Sequence, residues 1–217
     1  MLWNFVLIFY FSKVWSALEL STPVYMCDSK IFCQGPIYDT AVRLRIHNDS
    51  AEYAGMTLKK SPAETLANFA ARFPNPQEVS GDDMRRFVAD HFYKPDQELS
   101  NCKPSDWVSD PKSFGLIKDP NYKAWAKDLK NIWSELCRRM DKRLFEKFDS
   151  SILIYVPNNF IAPGGIFDHF YYWDSYWIIK GLLASQMYNT TKGMIRNFAY
   201  LLDRFGFIPN GGLVYYL

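Results

Sequence analysis

The residues with the clearest chemical potential lie in two glycine-rich segments near the C-terminal end of the chain. The first runs Ala162-Pro163-Gly164-Gly165-Ile166-Phe167-Asp168-His169-Phe170-Tyr171-Tyr172-Trp173-Asp174-Ser175-Tyr176-Trp177. Its Pro-Gly-Gly turn permits backbone angles and close approaches that other residues resist. It leads into a block of aromatic rings interrupted by carboxylates. That mixture suits carbohydrate: a flat ring contacts the apolar C–H face of a pyranose, and a carboxylate accepts hydrogen bonds from neighbouring hydroxyls. Trp173-Asp174 stands out, because a carboxylate beside a Trp at a helix start can act as cap and as ligand. Phe167, Tyr171, Tyr172 and Trp177 read for the most part as core residues. The second segment, Phe205 to Tyr216, is centred on Pro209-Asn210-Gly211-Gly212, a strong turn signal. Asn210 there either bonds its own turn or presents an amide to a hydroxyl-rich ligand. Both segments follow helix-rich stretches and can share one end of a helical bundle.

The elements that must position these loops read as helices. Pro62 to Phe73 forms a short helix with Pro62 in its first turn and Pro74 as its stop. Ser80 caps a second helix, Asp82 and Asp83 complement its dipole, and Met84, Phe87, Val88, His91 and Phe92 make its inner face. His91 is read as a packed or capping residue. Residues 94–120 carry four prolines and read as a long irregular connection. Tyr122, Trp125, Leu129, Ile132, Trp133, Leu136, Met140 and Leu144 recur at steps of three and four, which predicts one long amphipathic helix over 121–148. Ile152 to Val156 is a strand or an extended loop. Two further helices follow, one from about Ser175 to Tyr188. The other starts near Thr190 or Thr191 and ends at Gly206, with Met194, Ile195, Phe198, Leu201, Leu202 and Phe205 turned inward. Short links between consecutive helices give helical hairpins and an all-α fold.

Composition narrows the function classes. The net charge of +2 argues against a nucleic-acid partner, which selects a basic stripe or arm. Aromatic residues make up 18% of the 217, enough for a sugar-binding wall as well as a core. Residues 1–16 read as a signal peptide: an apolar run of about ten residues is too short to span a bilayer, and small residues near Ser16 and Ala17 suit cleavage. Asn48-Asp49-Ser50 and Asn189-Thr190-Thr191 are glycosylation sequons. The chain is therefore expected to be secreted or extracellular, with a membrane anchor in a full-length form as the alternative. Cys27, Cys33, Cys102 and Cys137 allow three complete pairings, of which Cys27–Cys33 closes a short local loop. No metal site, cofactor or internal membrane span is expected.

The two glycine-rich segments resemble the trehalase family of glycoside hydrolases, which split α,α-trehalose into two glucoses. The resemblance rests on Pro163-Gly164-Gly165 with Phe167 and Tyr172-Trp173-Asp174-Ser175-Tyr176. It extends through Ile178-Ile179-Lys180-Gly181-Leu182-Leu183, Lys192-Gly193-Met194-Ile195 and Gly206-Phe207-Ile208-Pro209-Asn210-Gly211-Gly212. Cys27-Asp28-Ser29 and Ile31-Phe32-Cys33-Gln34-Gly35-Pro36 also look like animal trehalases, so residues 17–217 are read as the N-terminal part of a trehalase-like catalytic domain. The resemblance implies part of an (α/α)6 toroid, built from helical hairpins and incomplete in this chain. It implies an inverting mechanism in which a carboxylic acid protonates the glycosidic oxygen and a separate carboxylate activates water. By motif position, Phe167, Trp173, Asp174 and Asn210 line the glucose site, with trehalose or glucose as the ligand.

Departures from the family pattern are as informative. Ile166 stands where the family has Arg and cannot donate a fork of hydrogen bonds. His169 stands for a usual Glu, and Leu213 for another Arg. The family's two catalytic carboxylates have no counterpart here. Asp168 and Asp174 are not read as their replacements, so no catalytic residue is assigned and the 217-residue chain is expected to be inactive. About five helices are legible, against twelve in a closed toroid, which leaves apolar helix faces without partners. The alternative reading is a catalytically inactive trehalase-like protein that binds sugar or a partner.

Overall fold

Seven helices and one small sheet carry the fold among the residues that the computed structural model describes, 27–47, 53, 55–94, 98–146 and 150–217. The expected signal peptide and the Asn48 sequon lie outside the described residues.

The N-terminal helices form where their caps are written. Helix α1 (Pro36–Arg43) begins with a proline, whose missing N–H has no acceptor to lose there. In α2 (Pro62–Arg72) the Ser61 hydroxyl accepts the Glu64 N–H, and in α3 (Gly81–His91) Ser80 does the same for Asp83. These two helices bury Phe69, Met84, Phe87 and Val88, with the Phe69 and Phe87 rings edge to face at 5.1 Å. His91 stacks on Phe87 at 4.0 Å and hydrogen-bonds the Phe87 carbonyl oxygen and Asn68, so it is a packed residue as read.

The expected helix over 121–148 breaks at its middle. Helix α4 spans Pro120–Glu135, and the chain then forms strand β2 (Cys137–Met140) and a short helix α5 (Arg143–Glu146). Strand β2 is the centre of an antiparallel sheet, with β1 (Leu99–Asn101) on one side and β3 (Phe160–Ile161) on the other. A disulfide joins Cys137 to Cys102, and the Cys102 N–H donates to the Cys137 carbonyl oxygen, so both sides of β2 hold it extended. The second disulfide is Cys27–Cys33. The long connection after residue 94 thus contributes a strand as well as a 3-10 turn at Lys112–Leu116.

Helix α4 also faces the opposite way from a core helix. Its stripe residues Tyr122, Trp125, Leu129 and Ile132 are exposed, while Lys130 is 1% exposed with its Nζ 3.7 Å from the centre of the Trp107 ring. The Lys130 ammonium has no hydrogen-bond partner among the described residues, and burial together with nearby Lys103 lowers its pKa. The small number of helices predicts apolar faces without partners, and among the described residues nothing covers the outer stripe of α4. Trp133, the inner edge of the stripe, packs where a side chain on Gly181 would sit, 2.6 Å from a Cβ built there.

Helices α6 (Tyr172–Ala184) and α7 (Tyr188–Phe205) form an antiparallel hairpin closed by a turn in which Gln186 adopts φ 61. That turn ends α6 earlier than the sequence pattern places it. Asp106, from the irregular connection, accepts the N–H groups of Asn189 at 2.6 Å and Thr190 at 3.0 Å and also the Thr190 hydroxyl, capping α7 from outside its own segment. Met194, Leu201 and Phe205 are buried in α7 as expected, but Ile195 and Leu202 are exposed. Thr190, Thr191 and Asn197 are buried in addition, which turns the helix away from its purely apolar face. Asn197 exchanges amide hydrogen bonds with Asn158 at 2.9–3.0 Å, which satisfies it in the interior. Gly206, at φ 79, ends α7 in the left-handed conformation read for it. The fold is all-α in class with this one small sheet. Among the described residues no helix is long and apolar enough to cross a membrane.

Candidate functional site

The second glycine-rich loop is held from both sides. Ile152, Leu153 and Ile154 are fully buried and extended, and Ile154 N–H donates to the Gly212 carbonyl oxygen at 2.8 Å while Val214 N–H donates to Ile152. On the other side Gly212 N–H donates to the Phe170 carbonyl oxygen and Tyr172 N–H to the Asn210 carbonyl oxygen, each at 2.9 Å. The segment from Asn210 to Val214 is therefore the middle lane between residues 152–154 and 170–172. The two loops that the sequence singles out meet through backbone hydrogen bonds. Gly212 permits this: a Cβ there would lie 2.9 Å from the Phe170 ring.

The first loop turns at Gly164 and Gly165, which adopt φ 108 and φ 64, the conformations that the Pro-Gly-Gly run promises. Gly164 and Phe167 exchange backbone hydrogen bonds across the turn, and Phe167 emerges exposed, its ring 5.6 Å from that of Tyr171. Helix α6 then buries Ser175, Ile178 and Leu182. Trp173, Tyr176 and Trp177 consequently lie on its outer side, with Trp173 69% exposed. The core reading of Phe167, Tyr172 and Trp177 fails for that reason: all three are exposed. The rings form a wall, with Trp173 to Trp177 at 6.1 Å, Tyr176 to Trp177 at 4.9 Å, and the Lys180 ammonium within 5.5 Å of both Tyr176 and Trp177.

Asp174 sits in the first turn of α6, where the helix dipole favours a carboxylate. The helix start has no side-chain cap, so the expected capping role falls away. Asn210 is exposed at the loop junction and joins it through its backbone carbonyl oxygen. All four residues read as glucose contacts, Phe167, Trp173, Asp174 and Asn210, thus lie on the two joined loops and the helix start they support. Ile166 is 67% exposed on the same turn. Leu213, by contrast, is buried and bridges to Leu153.

Arg138 is not singled out by the sequence, and Tyr176 and Lys180 enter there only as members of the motifs, without a role. Arg138, on β2, donates to Asp168 at 2.8 Å and to the carbonyl oxygens of Glu135 and Cys137, tying the first loop to the sheet. The helix-like spacing of the surrounding apolar residues hides it. Tyr176 and Lys180 follow Trp173 at steps of three and four, a signal legible once the inner face of α6 is known.

His169 stands beside Asp168, 4.5 Å from the Tyr171 ring, with Nε2 buried and without a hydrogen-bond partner among the described residues. Burial holds its pKa down at about 4, against the opposing pull of Asp168. The unfolded chain takes up a proton near pH 6.5 and the folded chain only near pH 4. Stability linked to His169 is thus complete above about pH 6.5 and is lost as the pH falls toward 4, by roughly 2–3 kcal/mol. Urea unfolding at pH 7 and pH 4.5 is expected to show a smaller difference for His169→Gln than for the parent; equal pH dependence in both would refute this.

Among known proteins, the Trehalase family profile matches residues 45–217. The chain is 42% identical over 193 residues to a trehalase of Apis mellifera, covering 88% of this chain and 30% of that protein. It is 39% identical over 194 residues to a trehalase of Oryctolagus cuniculus and 37% over 193 residues to one of Homo sapiens, each match covering 88% of this chain and 33% of the relative. The chain spans about a third of the length of the curated relatives it matches. A profile match of this extent, with the Pro-Gly-Gly and Asn-Gly-Gly loops joined by backbone hydrogen bonds, establishes that the chain belongs to the Trehalase family.

Proposed function

We propose that this chain forms the glucose-binding wall of an α,α-trehalose hydrolase, one side of an (α/α)6 toroid. What supports the reading is that exposed Trp173 and Phe167, together with Asp174 and Asn210, are carried by two loops joined through backbone hydrogen bonds. Trp173 lies against an apolar sugar face, Asp174 accepts hydroxyl protons, and Asn210 offers its amide. Hydrolysis proceeds with inversion and needs an acid and a base on opposite faces of the sugar. Neither is assigned here. Asp168 is committed to Arg138, and Asp174 belongs to the binding wall. The two catalytic carboxylates are assigned to the part of the family's length that this chain does not span, and the 217 residues alone are expected to show no turnover. Secretion is part of the same proposal, and the pairing of all four cysteines supports an oxidising compartment.

A second reading, a binding protein without hydrolysis, is favoured by Ile166. That exposed side chain occupies the position where a guanidinium would clamp sugar oxygens. Grafting residues 45–217 in place of the matching part of the rabbit relative separates the two. The chimera is expected to hydrolyse trehalose with a raised KM, and Ile166→Arg to lower that KM about tenfold, the effect of a charge-assisted hydrogen-bond pair. A folded chimera that binds trehalose but gives no glucose even with Ile166→Arg supports the second reading. One that does not bind trehalose overturns both.

A further inference from the structure

A cavity of about 300 Å3 opens between the start of α7, the Pro157–Asn159 turn and the Pro104–Ser105 segment. It lies at the far end of the α6–α7 hairpin from Trp173. Helix α6 has 13 residues, which separates the two ends by roughly 20 Å at 1.5 Å per residue. The cavity is therefore separate from the aromatic wall, and a ligand held there is independent of trehalose binding at Trp173.

Its lining mixes polar and apolar residues and carries no charged side chain: Ser105, Asn158, Asn159, Asn189 and Thr190 stand beside Pro104, Pro157 and Cys137. The frame is rigid. Asn158 is locked to Asn197 by reciprocal amide hydrogen bonds, the start of α7 is held by Asp106, and the Cys102–Cys137 disulfide backs the cavity. The nearest carboxylate, Asp106, is engaged with Asn189 and Thr190. Among the described residues, the Ser105 hydroxyl and the side-chain amides of Asn159 and Asn189 make no hydrogen bond.

We propose that this cavity binds one neutral pyranose ring. Its volume is at the low end for ligand cavities, enough for a single ring. Unengaged amides and a hydroxyl both donate and accept, which matches sugar hydroxyls, and the exposed Pro157 ring gives the C–H face an apolar seat. The absence of a free charge in the lining selects against phosphates, carboxylates and amines. Two sources can supply such a ring: a free hexose, or the first N-acetylglucosamine of a glycan on Asn189, whose side chain lines the cavity and opens the sequon Asn189-Thr190-Thr191.

Two forms of the full 217-residue chain test this. For the free source, the unsubstituted chain, exported to the bacterial periplasm and so free of glycan, is titrated with glucose and with N-acetylglucosamine by saturation-transfer NMR. Millimolar binding is expected, weakened at least tenfold by Asn159→Leu or Ser105→Ala and unaffected by Asp174→Ala. Ser105 is exposed, so Ser105→Ala keeps the test valid if Asn159→Leu does not fold. For the linked source, no free sugar binds, but enzymatic removal of the glycan from chain secreted by eukaryotic cells raises amide hydrogen exchange at Ser105, Asp106, Asn158 and Asn159. Absence of both signals overturns the proposal, as does sugar binding that Asp174→Ala removes and Asn159→Leu and Ser105→Ala leave intact.

Discussion

Replacing Asp174 by Ala is expected to weaken trehalose binding roughly ten- to hundredfold, the cost of losing hydrogen bonds from hydroxyls to an ionised acceptor. The side chain takes no part in capping α6. Stability should change little, by about 0.3–1 kcal/mol, because only its interaction with the helix dipole is lost. Asp174→Asn keeps the shape and one acceptor oxygen, so its loss should be smaller. Calorimetry of both variants, with melting curves beside it, checks the ranking. A folded Asp174→Ala chain that binds trehalose like the parent removes Asp174 from the site.

Gly212→Val is expected to have the second large effect, on the architecture of the wall. A Cβ at this position meets the Phe170 ring at 2.9 and 3.0 Å and the His169 Cβ at 3.3 Å. None of these neighbours is the free end of a flexible chain. Both backbone polar groups of Gly212 are used, one toward Ile154 and one toward Phe170, so the residue cannot move away without breaking a hydrogen bond. Overpacking of this kind costs roughly 1–3 kcal/mol. Separation of the loops should also carry Asn210 away from Trp173 and Asp174 and so reduce sugar binding in the chains that remain folded. Urea unfolding measures the first effect and calorimetry under native conditions the second. Unchanged values in both would mean that the loops are not held together through Gly212.

Residues with a local signature are the ones legible in the sequence. Ser80, Gly206 and the Pro-Gly-Gly run act through their own backbone or the next turn, and each does what its type implies. Asn210 and Trp173 are legible as members of loops with unusual composition. Illegible is anything decided by a distant partner. The apolar stripe of α4 has the right period, but periodicity reports spacing and not which side the rest of the molecule covers; Tyr122 and Trp125 face outward and Lys130 inward. Strand β2 is hidden because its partners, Leu99–Asn101 and Phe160–Ile161, are remote in sequence and Cys137–Met140 also fits a helical step. The Arg138–Asp168 ion pair is hidden with it. Large rings usually pack in a core, which misleads for the aromatic residues of α6, where small Ser175 together with Ile178 and Leu182 defines the inner face.

The outward stripe of α4 and the aromatic wall of α6 also fit a chain that spans about a third of its relatives' length: both are surfaces for which the described residues offer no cover.

The most direct test of the binding wall is a titration of the isotope-labelled chain with trehalose, followed residue by residue by NMR. The indole N–H of Trp173 and the side-chain amide of Asn210 are expected to shift together, with one affinity; Asp174→Ala should suppress both shifts, and sucrose in place of trehalose should fail to produce them. Trehalose-dependent shifts confined to the exposed stripe of α4, or none at Trp173 and Asn210 at saturating sugar, would contradict the binding wall.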